Sequence, residues 1–123
     1  MLATLAACFA VATAWSAAAP VGAQEGDGAR PFVNVVQVTG YLDPIMADFL
    51  ERAIAESERA GAEALILQLD SPGSVLPPAE LDALVFRIGH ARVPIAAWVG
   101  EGGAQALGGA AQLALAAPLA GLA

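Results

Sequence analysis

The feature that most constrains the fold is an almost continuous apolar run, residues 64–69, that is only as long as one β-strand. Such runs are typical of parallel strands that are buried on both faces of a sheet. The run follows Gly61 and leads into residues 70–74, whose Asp-Ser-Pro-Gly-Ser sequence predicts a loop. A buried strand needs neighbouring strands and covering helices, so this run indicates an α/β domain.

Three other segments have the composition of strands. Residues 33–38 are rich in β-branched Val and end at a Thr-Gly turn, and residues 94–99 form another apolar strand. Residues 118–123 have the character of the start of a fourth strand, so the predicted sheet stops in mid-strand. On this pattern we expect the chain to be a fragment or a truncated product.

The first predicted helix has a signal at each end. Asp43 can cap its free amides, Pro44 suits the first helical position, and Gly61 suits the C-terminal cap. Its apolar residues recur at helical spacing, which predicts that they face the sheet. These residues are Ile45, Met46, Phe49, Leu50, Ala53 and Ile54.

Two further helices are predicted between the strands. One starts at Pro77-Pro78, and Leu81, Leu84, Val85 and Ile88 form its apolar face. Residues 104–116 predict a third helix with almost no polar side, so we expect it to be buried all round. Strands that alternate with helices indicate right-handed crossovers. The predicted fold class is therefore α/β, with repeated βα units and a mostly parallel sheet that is incomplete at the C-terminus.

The N-terminal segment predicts export. Residues 1–24 carry no charged side chain, and an Ala-rich apolar run precedes the small residues Val21, Gly22 and Ala23. Residues 1–23 are therefore interpreted as a signal peptide or, alternatively, as a retained membrane anchor, and residues 24–32 as a linker. We expect residues 33–123 to lie on the extracytoplasmic or periplasmic side, in association with the membrane.

Cysteine content and charge limit the classes of partner. Cys8 is the only cysteine, which excludes an internal disulfide, and it ends a Leu-Ala-Ala-Cys sequence that resembles a lipoprotein box. The box lies very close to Met1, and the alternative is that Cys8 is an apolar residue of the leader. The net charge is −7, and all five basic residues are Arg. An acidic chain without a basic patch argues against a nucleic-acid partner.

Two motifs in combination resemble one protease family. Residues 69–74 read Leu-Asp-Ser-Pro-Gly-Ser, similar to a family pattern Leu-Asp-Ser/Thr-Pro-Gly-Gly. Residues 103–110 read Gly-Ala-Gln-Ala-Leu-Gly-Gly-Ala, where the family has Gly-Ala-x-Ala-Ala-Ser-Ala-Gly. Residues 33–123 therefore resemble part of the N-terminal ClpP/crotonase-like domain of the NfeD-type membrane-bound serine proteases, the stomatin-operon partners of the ClpP class.

The resemblance implies a serine endopeptidase with a Ser/Lys dyad and an oxyanion hole of backbone amides. It implies cleavage of hydrophobic membrane-protein segments, a stomatin- or prohibitin-type partner, a peptide substrate or ligand, and a homo-oligomer. It implies neither a cofactor nor a metal, and one His with scattered carboxylates is a poor ligand set.

The chain departs from this chemistry at its centre. The family nucleophile position is Gly108, and the chain contains no Lys to act as the base. Since a glycine has no group that can attack a carbonyl, we expect no catalytic residue and no hydrolysis. The alternative is a non-catalytic scaffold or peptide-binding homologue of the same family. An acyl-CoA enzyme of the crotonase type shares the superfold but is hard to reconcile with export.

The candidate oxyanion and substrate-groove residues lie in two glycine-containing segments. They are Gly73 and Ser74 after the second strand, and Gly103 and Ala104 before the third helix. Glycine lets backbone amides approach an oxyanion closely. Ser74 stands where the family pattern has its second Gly, so the alternative is that this loop only shapes the fold.

Asp70 and His90 are the other polar candidates for chemistry. Asp70 is expected to cap the turn that follows it, and His90 is expected to be a solvated residue at the end of the second helix. A Ser74–His90 pair is excluded, because one helix separates the two residues by roughly 24 Å.

Overall fold

The computed structural model describes residues 30–123, so the predicted leader, its cleavage site and Cys8 lie outside the described residues. The described elements are β1 (Val33–Thr39), α1 (Pro44–Ala60), β2 (Ala64–Asp70), α2 (Pro78–Gly89), β3 (Ile95–Val99), α3 (Gly109–Ala116) and β4 (Leu119–Leu122). The strands form one sheet in the order β1-β2-β3-β4, and all three pairings are parallel. The predicted α/β class is confirmed.

The two faces of this sheet differ. α1 contacts β1 and β2, α3 contacts β3, and α2 packs against both other helices, so the helices form one layer. Leu65, Leu67 and Leu69 face that layer and are buried, whereas Ile66 and Gln68 on the opposite face are only half-buried. Within residues 30–123 the expectation that this run is buried on both faces is wrong, because the three helices of that range cover a single face. We call the uncovered side the open face.

The ends of α1 are as predicted. The Oδ1 atom of Asp43 accepts a hydrogen bond from the amide of Met46 at 2.7 Å. Gly61 caps the other end in the left-handed region, at φ 70°. The inner face is narrower than predicted, however, because Ile45 and Phe49 are 76% and 43% exposed. Leu50 and Ile54 are the fully buried apolar residues of α1, and Met46 and Ala47 pack against the core beside them.

The third helix differs most from its prediction. It begins at Gly109 rather than at residue 104, because the preceding residues pair with the loop after β2. The amide of Ser71 donates to the carbonyl of Gln105, and the amide of Leu107 donates to the carbonyl of Ser71. The helix is also not buried all round, because Leu115 is 83% exposed.

One carboxylate joins three parts of the helical layer. Glu58 in α1 binds both guanidinium Nη atoms of Arg87 in α2, at 3.0 and 2.9 Å, and accepts from the amide of Arg92 at 2.8 Å. The Glu58 side chain is only 6% exposed. Hydrogen bonds from Arg87 and from the Arg92 amide lower the pKa of Glu58 from 4.5 to about 2. This carboxylate therefore ties α1 to α2 and to the segment before β3.

Among residues 30–123, no helix combines the length and the apolar character needed to cross a membrane.

Candidate functional site

The loop after β2 is held rigidly by its own serine and by the β1–α1 connection. Ser71 is fully buried, and its hydroxyl donates to the carbonyl of Gly73 at 3.0 Å. That same carbonyl accepts from the amide of Leu42 at 3.0 Å, and the carbonyl of Leu42 accepts from Val75 at 2.9 Å. Gly73 has φ +154°, and a Cβ there would approach the ring of Tyr41. The position of Gly73 is thus fixed by contacts on two sides.

Gly108 lies directly beside this loop. It is the N-cap residue of α3 and adopts φ 54° and ψ −122°, a region that only glycine enters readily. Among the residues that the structure describes, a Cβ at this position would meet just one atom within 4 Å, the Cα of Gly73 at 3.9 Å. The structure therefore brings together the two segments that carry the resemblance, with room for a side chain at position 108.

The next residue, Gly109, is a part of this site that the sequence analysis did not single out. A Cβ on Gly109 would lie 2.5 Å from the Cβ of Ser74 and 3.1 to 3.2 Å from the methyl carbons of Leu81. The only sequence signal for this position is the Gly-Gly pair at the helix start. Gly109 opens α3, and in the first turn the amide of Ala110 donates to the carbonyl of Leu107, which precedes the helix, at 3.0 Å. Amides in this turn, at the positive end of the helix dipole, favour negative charge.

The other two candidate residues lie apart from this centre. Gly103 is exposed in the loop between β3 and α3, at φ +90°. Ala104 is half-buried and lines a cavity with Asp70 and Trp98. The structure thus places Gly73 and Ser74 next to the α3 N-terminus, whereas Gly103 and Ala104 belong to the loop that leads to it.

The two remaining polar candidates have structural partners. The Oδ1 atom of Asp70 accepts a hydrogen bond from the amide of Gln105 at 3.2 Å. The sequence predicts that Asp70 caps the turn after β2, but in the structure its carboxylate holds the β3–α3 loop. His90 lies at the exposed C-terminal cap of α2, as predicted, with its Nδ1 atom 2.9 Å from the carbonyl of Phe86. Its ring stacks on that of Phe86, with centroids 3.9 Å apart.

The sequence is similar to that of a known membrane-bound protease. The membrane-bound protease PH1510 of Pyrococcus horikoshii is 32% identical over 90 residues, which are 71% of this chain and 19% of that protein. No protein-family model matches the chain.

The fold is similar to solved structures of the N-terminal domain of the same protease. A lysine-to-alanine mutant of the 1510-N membrane-bound stomatin-specific protease, in complex with a substrate peptide, is similar with a TM-score of 0.70 and 30% identity. The match covers 76% of this chain and 42% of that one. A serine-to-alanine mutant also matches with a TM-score of 0.70 and 30% identity, over 76% of this chain and 44% of that one.

The chain therefore spans less than half of each solved structure and about a fifth of the full-length relative. Within that span the sequence and the backbone agree on the same relative, which confirms the predicted resemblance. Over the region covered, the chain is a homologue of the NfeD-type, stomatin-specific membrane protease, and it has the fold of the ClpP-like N-terminal domain of that protease.

Proposed function

We propose that residues 33–123 form a peptide-binding domain of the NfeD protease type that does not hydrolyse peptide bonds. The observation that carries this proposal is Gly108, which occupies the N-cap of α3 beside Gly73. By resemblance this is the position of the attacking Ser. The absence of a side chain removes the nucleophile and leaves the surrounding backbone in place.

The neighbouring hydroxyl groups are poor substitutes. The buried hydroxyl of Ser71 donates to the carbonyl of Gly73, and that of Ser74 donates to the carbonyl of Leu42 at 3.3 Å. Ser74 also accepts from the amide of Leu76 at 3.1 Å. A serine becomes nucleophilic when an adjacent base takes its proton, and the 123 residues contain no Lys for this role.

Peptide binding is supported by the relatives and by the backbone. The protease with the same fold was solved with a substrate peptide and is described as specific for a stomatin homologue. Gly108 is exposed beside the buried Gly73, and neither residue has a side chain that would keep a peptide carbonyl away from the backbone. We therefore propose an apolar segment of a stomatin- or prohibitin-type membrane protein as the ligand.

The same relative supports the proposed location. Because it is membrane-bound, we propose that this chain also works at a membrane, on its extracytoplasmic side, with residues 1–23 as leader or anchor and 24–32 as linker. Self-association in a homo-oligomer is part of the same proposal.

The test separates hydrolysis from binding. The 123-residue chain is treated with a serine-directed fluorophosphonate probe, and a fluorescently labelled apolar peptide is titrated against it by anisotropy. We expect saturable peptide binding without labelling or turnover. Stoichiometric labelling of any Ser contradicts the loss of catalysis, and the lack of any peptide binding contradicts the binding function. A Gly108→Ser variant should bind and remain inactive, because it restores no base.

A further inference from the structure

Three consecutive rows of side chains cross the open face, and their chemistry changes abruptly. The strand register aligns Val35, Ile66, Ala96 and Leu119 in an apolar row. The next row contains Gln37, Gln68 and Trp98, and the row after it contains Thr39 and Asp70. The open face is thus polar only toward the carboxyl ends of the strands, the edge where parallel α/β sheets bind ligands.

A cavity of about 270 Å³ lies at this polar edge. The β3–α3 loop forms one side of it through Gly100, Glu101 and Ala104, and Trp98 forms part of the wall. Its size is close to the lower end of the range for small-ligand sites, about 300 Å³. None of the residues that determined the proposed function, Gly73, Gly108 and Gly109, is among the residues that line it.

The indole of Trp98 packs directly against the backbone of Gly100 and Gly121. A Cβ on Gly100 would lie 2.6 Å from the Nε1 and Cε2 atoms of the ring, and one on Gly121 would lie 2.8 Å from Cε3. The ring therefore occupies space that any other residue at these two positions would fill. It remains 38% exposed, so part of the aromatic surface is available to a ligand.

The charged side chains that line the cavity are acidic. Asp70 and Glu101 line it, and none of the described residues that line it is basic. Three Arg side chains form ion pairs with glutamates of α1, in the helical layer: Arg59, Arg87 and Arg92. Asp70 holds the amide of Gln105 through Oδ1, which orients its carboxylate. Gln37 donates to Gln68 at 3.3 Å, so a neutral amide pair completes the floor.

We propose that this cavity binds an organic cation, a guanidinium or primary ammonium group carried on an alkyl chain. Two carboxylates supply the countercharge, and the indole supplies a cation–π surface and packs on the alkyl stem. A partly enclosed site strengthens these contacts relative to water. The proposal is independent of hydrolysis and of peptide binding beside Gly108, since it depends on different residues.

The experiment measures cation binding to the 123-residue chain in a Trp15→Phe background, so that the fluorescence comes from Trp98. Agmatine, n-butylammonium and an acetylated, amidated Arg-containing tripeptide are titrated at low ionic strength, with glutarate and n-butanol as anionic and neutral controls. We expect saturable quenching by the cations alone, weakened by salt. Tighter binding of the tripeptide assigns the cation to a peptide side chain, and tighter binding of agmatine assigns it to a free amine.

Three carboxylate variants test whether the cation binds in this cavity. Asp70→Asn and Glu101→Gln should each weaken binding about tenfold, the effect of losing one charge-assisted hydrogen bond. Asp70→Asn keeps an oxygen that can accept from Gln105, so its fold is expected to be intact. Glu63→Gln is the matched control, because Glu63 is an exposed carboxylate before β2, at the opposite end of that strand. Unchanged affinity in both cavity variants, an equal loss in Glu63→Gln, or equal quenching by n-butanol overturns the proposal.

Discussion

The Cβ of Ser74 occupies the space that a Cβ on Gly109 would need, since the two carbons would be 2.5 Å apart. The family pattern that the chain resembles has Gly at the first of these positions and Ala at the second. Relative to that pattern, the small and the larger residue are exchanged. In this chain the exchange leaves one Cβ between the loop after β2 and the start of α3, where a second Cβ would not fit.

Gly109→Ala is expected to destabilise the domain by about 2 kcal/mol, the usual cost of overpacking a tight contact. Ser74→Gly in the same chain should restore part of that loss, giving a coupling energy of about 1–2 kcal/mol in a double-mutant cycle. Urea unfolding followed by circular dichroism measures the parent, the two single variants and the double variant. Gly89→Ala is the control, because its new Cβ would meet only an ordinary contact at 3.6 Å. Additive single effects would contradict the proposed exchange.

Gly108→Ser and Gly108→Ala should fold with similar losses of stability, about 1–3 kcal/mol each. The cause is the backbone conformation at φ 54° and ψ −122°, which disfavours any side chain, whereas space is available around the new Cβ. Denaturant unfolding measures the loss of stability as a shift in the unfolding midpoint, provided that the m-value is unchanged. A much larger loss for Ser than for Ala would show that contacts, and not the backbone, set the cost.

The stability of the domain should fall as the pH is lowered from about 5 toward 2, in part because of Glu58. Its pKa is about 2 in the folded protein against an ordinary 4.5, so the unfolded chain binds the proton first. The stabilisation by Glu58 is fully present above its pKa in the unfolded chain, and it is lost as the pH falls through its pKa in the folded protein. Thermal melts across this range are the measurement.

Replacing Glu58 tests the assignment. Glu58→Gln should cost about 2 kcal/mol near neutral pH and flatten the acid dependence, because the charge-assisted hydrogen bonds to Arg87 and Arg92 are lost. Glu56→Gln should change little, since the Glu56–Arg59 pair lies on the surface with the Glu56 side chain 62% exposed. An unchanged acid profile in Glu58→Gln would assign the titration to another group.

Two leucines of α3 should differ sharply on truncation. Leu113 is fully buried, so Leu113→Ala should destabilise by about 3 kcal/mol through lost burial and a new cavity. Leu115 is 83% exposed, and Leu115→Ala should stay within about 0.5 kcal/mol of the parent. Equal losses would mean that α3 is covered on its outer side in solution, as the sequence had led us to expect.

Local signals predicted the elements that depend on them. Asp43, Pro44 and Gly61 mark the ends of α1 because capping and left-handed geometry involve only neighbouring residues. The apolar run of residues 64–69 likewise predicted β2 and, through its need for neighbours, the parallel sheet. The motifs in residues 69–74 and 103–110 predicted the relative, because they carry their glycines in a recognisable order.

Long-range contacts decided the rest. Residues 105–107 have helical composition, but their backbone forms hydrogen bonds with the backbone of Ser71. Because of this pairing, α3 begins only at Gly109. The Ser74–Gly109 exchange and the cavity beside Trp98 likewise depend on atoms that are distant in sequence. The sequence alone determined the α/β fold, the resemblance to the protease and the absence of a side chain at Gly108, since these follow from residue identity and periodicity. Only the tertiary structure decided where α3 starts, which sheet face is open and which candidate residues meet, because backbone pairing and close packing override local preference.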